Sequence, residues 1–117
     1  MDTSETYIKM CEKAEEIQKL APNPLYSSHD WFVERIRGNV PVWLPRQDQL
    51  QETVHPSDCT YAISYCLLDN FIDWYQSRCY DELARVYSME QLWLAFVMKE
   101  KHNKGWNGSE WVIKGNG

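Results

Sequence analysis

Ser88 and Gln91 stand just before the unbroken apolar run 92–98, and this junction constrains the fold more than any other stretch of the chain. A serine hydroxyl accepts from the backbone N–H three residues on, while a glutamine there reaches back to the serine N–H, so the two form a capping box. Tyr87 and Leu92 occupy the two positions of a hydrophobic staple, and Glu90 lies near the positive end of the helix dipole. Lys99, Lys101, His102 and Lys104 complement the opposite end before Gly105. The signals predict a helix over 89–104, buried at its centre and exposed at its tail. A chain of 117 residues has length for one domain with a core around such a helix.

Two further helices are expected. Tyr7, Met10, Ala14, Ile17 and Ala21 recur at steps of three and four with charged residues between them, which predicts an amphipathic helix over 4–20, stopped by Pro22 and Pro24. After His55 and Pro56, either Ser57 or Asp58 can cap a helix running to 76, on which Tyr61, Tyr65, Leu68, Ile72 and Tyr75 step by four and three. Ile63, Leu67, Phe71 and Trp74 flank that stripe, so apolar residues cover more than half of the circumference and predict a central helix with elements on two sides. Tyr80, Leu83, Ala84 and Tyr87 suggest a shorter helical piece after it.

The runs 31–36 and 40–44 are rich in β-branched and aromatic residues and flank Arg37, Gly38 and Asn39, which predicts a β-hairpin. Pro41 cannot donate to a ladder, so its strand is expected at an edge or bulged. Pro45 suits the first turn of a short helix over 46–53 with Leu50 turned inward. Beyond Trp106, Asn107 and Gly108 mark a turn into a terminal strand over 110–113, expected to join the hairpin as a third strand. The fold class expected is α+β: three principal helices near 4–20, 58–76 and 89–104 on a small antiparallel sheet.

Four cysteines, Cys11, Cys59, Cys66 and Cys79, are widely spread and lack the paired spacing of a zinc site, and the histidines are isolated. They are expected as reduced core thiols, with no metal and no cofactor. The densest chemical cluster, His55 through Ser57 and Asp58 to Cys59, places a base, a hydroxyl, a carboxylate and a thiol together. Catalytic His and Cys meet through the fold and not through adjacency, so a loop, a proline and a helix cap explain this stretch. No phosphate-binding glycine loop, dinucleotide fingerprint, zinc-protease or nucleophile-elbow string occurs. The expectation is a protein that is not an enzyme and has no catalytic residues.

Twelve basic and seventeen acidic side chains give a net charge of −5, which opposes duplex nucleic-acid binding. No apolar run reaches membrane-span length, and the start at Asp2 and Glu5 lacks the basic, apolar pattern of a signal peptide, so no membrane association is expected. The anomaly is the aromatic share of 14%, with six Trp and seven Tyr. Trp and Tyr are enriched at interface hot spots, which favours a protein partner or self-association. They also stack on bases, which leaves a nucleotide-like ligand in an aromatic and arginine pocket as the alternative. Trp43, Arg46, Gln47 and Gln49 are the candidate binding residues, an aromatic plane beside guanidinium and amide donors. The competing reading makes Trp43 a core anchor and leaves the polar residues facing water.

The strings YIKMCEKAEEIQ (7–18), WLPRQDQLQE (43–52), SMEQLWLAFVMKEK (88–101) and NKGWNGSEWV (103–112) resemble small proteins encoded by bacteriophages and bacterial prophages. They span about two-fifths of the chain. The resemblance implies a phage or prophage origin and a bacterial host cytoplasm. That group carries no assigned activity, so no catalytic or binding residues follow from it. The function expected is that of a non-enzymatic accessory protein that binds a protein partner, with modulation of host machinery or defence as one version.

Overall fold

In a computed structural model the described residues are 1–23, 29–34, 41–54, 61–78 and 88–113, without the side chains of 61–66 and 77–78. Among them five helices and two antiparallel strand pairs make an α+β fold. The helices are α1 (Glu5–Lys13), α2 (Glu15–Gln18), α3 (Gln47–Val54), α4 (Tyr61–Arg78) and α5 (Met89–His102). The strands are β1 (Trp31–Val33), β2 (Val42–Leu44), β3 (Lys104–Trp106) and β4 (Trp111–Ile113).

The central element is α5, whose residues Gln91 to Met98 are all buried. It has apolar side chains on every face, so burial requires neighbours all round, and α1, α3, β3 and the aromatic face of α4 supply them. Phe71 of α4 stacks on Trp93 at 4.0 Å and meets Phe96 edge-on at 5.3 Å. The prediction that α4 is central is therefore corrected. Among its described side chains only Phe71 is buried, Leu67 and Trp74 are partly so, and the opposite face stays exposed.

Half of the predicted capping box forms: Ser88 Oγ accepts from the Gln91 N–H at 3.1 Å. The Gln91 side chain does not reach back. Its Nε2 donates to Asp2 Oδ2 at 2.7 Å, and Ser88 Oγ donates to the same oxygen at 2.5 Å. Asp2 also accepts from the Ser4 N–H at 2.8 Å, while Ser4 Oγ caps α1 by accepting from the Tyr7 N–H. The N-termini of α1 and α5 are thus joined through one carboxylate. Burial pushes the Asp2 carboxyl up, but the hydrogen bonds from Ser88, Ser4 and Gln91 outweigh it and hold the group below its usual 3.8. A depressed carboxyl stabilises the fold above its unfolded value, and that contribution disappears as pH falls through the folded value. The urea midpoint should fall as pH drops below about 4, and Asp2→Asn should flatten that part of the profile. An unchanged acid limb in Asp2→Asn would exclude this carboxylate as its source.

The predicted helix over 4–20 appears as two pieces. Ala14 leaves the helical region at φ −89° and ψ 74°, and its N–H turns tightly to the Cys11 carbonyl. The step keeps Tyr7, Met10, Cys11, Ala14 and Ile17 buried and aims the Gln18 amide at β2. There Gln18 Oε1 accepts from the Trp43 N–H and Nε2 donates to the Trp43 carbonyl, both at 2.8 Å. On its other edge β2 pairs antiparallel with β1, placing Trp31 opposite Leu44 and Val33 opposite Val42.

The predicted third strand of that sheet is also corrected, because β4 pairs with β3 in a separate two-stranded sheet. Asn103 takes the left-handed conformation at φ 54°, ends α5 before Lys104 and releases the next three residues as β3. The Asn107 carboxamide accepts from the N–H groups of Ser109 and Glu110, with Gly108 at φ 101° in the turn. Trp111 then fixes this hairpin to α1 by donating from Nε1 to the Met10 carbonyl at 2.9 Å. The Arg37–Asn39 turn, the α4 caps Ser57 and Asp58, the piece at 80–87, Cys59 and Cys79 lie outside the described residues, as does the Cys66 side chain.

Candidate functional site

A cavity of about 640 Å³ lies between α2, α3 and the C-terminal half of α5. Ile17, Trp43 and Val97, all almost fully buried, supply its apolar wall, and Leu20, 58% exposed, stands at its rim. The volume is within the range of small-molecule sites, about 300–1,000 Å³. Asp30, Glu16, Glu52, Lys101 and His102 bring charge or polarity to the same lining. Lys104 donates to Glu16 at 2.5 Å and holds that carboxyl below its usual range. Glu52 and Lys101 are exposed and have no hydrogen bond or ion pair among the described residues.

The four candidate residues are placed unequally. Trp43 is 4% exposed, a core residue and cavity wall, and does not lie open as a plane. Its Nε1 is buried and has no acceptor among the described residues. Gln49 also lines the cavity; its Oε1 accepts from the Arg46 N–H at 2.8 Å and its Nε2 donates to Asp30. The Arg46 guanidinium donates to the His29 carbonyl at 2.7 Å and to Asp48 at 3.0 Å, and Asp30 lies 3.6 Å away. Asp48 holds the Arg46 guanidinium further above its usual range, with Asp30 adding to the effect. Gln47 is half-buried at the start of α3. Trp43 and Gln49 therefore share the cavity, while Arg46 ties the segment around His29 to α3.

The second feature is a surface. Leu68, Ile72 and Tyr75 of α4 are 50%, 49% and 41% exposed and lie within about 60° of one another at 100° per residue. Gln76, Asp69 and Asp73 follow on one flank, all exposed. Sequence periodicity contained this stripe, but an inward and an outward apolar face have the same spacing. Cavity residues Glu16, Asp30, Glu52, Lys101 and His102 were missed because each reads singly as a solvated helix or loop position.

Cys11 is fully buried beside Tyr7, and burial pushes its thiol well up against a smaller lowering by the tyrosine. Among the described residues no three His, Cys, Asp or Glu side chains converge as a metal site, and no helix is long and apolar enough to cross a membrane. Comparison with protein families, with curated proteins and with solved structures finds no match for this chain.

Proposed function

We propose that this chain is a non-enzymatic accessory protein of phage or prophage origin that binds a protein partner in a bacterial host cytoplasm and modulates host machinery or defence. The observation that carries the binding is the exposed stripe of Leu68, Ile72 and Tyr75, backed by the Phe71–Trp93–Phe96 cluster. A helix presenting three large apolar side chains fits the anchoring role of interface cores. Charge selects the partner. Two copies of α4 packed antiparallel would set Asp69 and Asp73 of one beside the same residues of the other, so self-association is opposed there. A foreign surface with an apolar centre and a basic flank complements the stripe instead.

The nucleotide-like alternative has weaker support. The Arg46 guanidinium, which would meet phosphate, is engaged by Asp48 and His29, and the cavity lining carries three carboxylates, Glu16, Asp30 and Glu52.

The test compares the wild-type chain with a Leu68→Gln, Ile72→Gln variant as baits in bacterial host extract, with quantitative mass spectrometry. Exposed substitutions of this kind cost about 0.5 kcal/mol or less each, so the variant should stay folded. A protein retained by the wild type and reduced tenfold or more on the variant is expected. Identical retention by both baits, or retention of nothing by the wild type, would overturn the reading.

A further inference from the structure

The cavity carries an inference independent of the α4 surface. Two of its carboxylates already have cationic neighbours: Glu16 pairs with Lys104, and Asp30 faces Arg46. Subtracting these pairs leaves one carboxylate, Glu52 on α3, and one ammonium, Lys101 on α5, at the same lining. Neither has a hydrogen bond or ion pair among the described residues. The same lining includes the almost fully buried side chains of Ile17, Trp43 and Val97 as an apolar wall.

We propose that the cavity binds a zwitterion with an apolar side chain, the chemistry shared by free large apolar amino acids and short apolar peptides. The ligand ammonium pairs with Glu52, its carboxylate pairs with Lys101, and its side chain covers the apolar wall. A nucleoside triphosphate fits poorly, because its phosphates would meet the carboxylates of Glu16, Asp30 and Glu52.

The test is calorimetric titration of the full chain with leucine, phenylalanine, the dipeptide Leu-Phe, its N-acetylated form, its C-amidated form and ATP. Saturable binding of at least one uncapped zwitterion is expected, with affinity falling tenfold or more on either capping. Tighter binding of the dipeptide than of both free amino acids identifies a peptide site, and the reverse identifies an amino-acid site. Glu52→Gln should lose the penalty for N-acetylation and Lys101→Met the penalty for amidation, with circular dichroism unchanged for both exposed substitutions. The capping series on the wild-type chain decides the matter without any variant. No saturable binding of any zwitterion, capping without effect, or tighter binding of ATP would each overturn the proposal.

Discussion

Trp93→Ala should lower the folding stability by about 3–5 kcal/mol, read as a shift of the urea midpoint at constant slope. The indole is 1% exposed, lies parallel to Phe71 at 4.0 Å and meets Phe96 edge-on at 5.6 Å. Truncation leaves a cavity at the point where α4 is fixed to α5, and the ring pairs add about 0.5–1.5 kcal/mol each beyond burial. The contrast with Trp93→Phe makes the prediction sharper. Trp93 Nε1 is buried and has no acceptor among the described residues, so phenylalanine gives up volume but also removes an unpaired donor. These effects oppose one another, and Trp93→Phe should cost less than about 1.5 kcal/mol. Equal losses in the two variants would show that the lost ring edge, and not the unpaired N–H, governs the site.

Leu50→Ala is the second large effect, about 2–5 kcal/mol. Leu50 is the one buried residue of α3, at 1% exposure, although α3 makes extensive contact with α5. An eight-residue helix is too short to persist in water by itself, so its order depends on that anchor. The loss should appear both in the global midpoint and as faster amide exchange through residues 47–54. Global destabilisation with α3 exchange unchanged relative to α5 would show that other contacts hold the helix.

The legible parts of the fold were those governed by local rules. The Ser88 cap, the amphipathic spacing from Tyr7 to Ile17 and the Asn107–Gly108 turn each follow from neighbours a few residues apart, and each is present. What escaped depends on partners far along the chain. Gln91 had every local reason to complete its capping box, yet its amide turns to Asp2. Ala14 is the best helix former there is, and it still breaks the helix, at the step that lets Gln18 reach Trp43. Lys104 looked like the end of a helix and Gly105 like its stop, because β3 has meaning only beside β4. The candidate site divides in the same way. Trp43 and Gln49 were singled out as unusual residues near one another in sequence, whereas Glu16, Glu52 and Lys101 become neighbours only when three helices pack.

The Gln18 contact has a consequence for self-assembly. A short apolar strand such as Val42, Trp43 and Leu44 is a template for cross-strand growth wherever its outer backbone groups are bare. Pro41 and Pro45 remove the donors at both ends, and the carboxamide of Gln18 occupies the outward N–H and C=O of Trp43 as a peptide group of a neighbouring strand would. A single side chain thus closes the edge. That closure exists only after α2 has docked, so the interval before docking is when newly made chains are most open to pairing with one another. A chain in which Gln18 is replaced by an aliphatic residue would pass through that interval without leaving it, and would be expected to accumulate as fibrous or amorphous aggregate as its concentration rises.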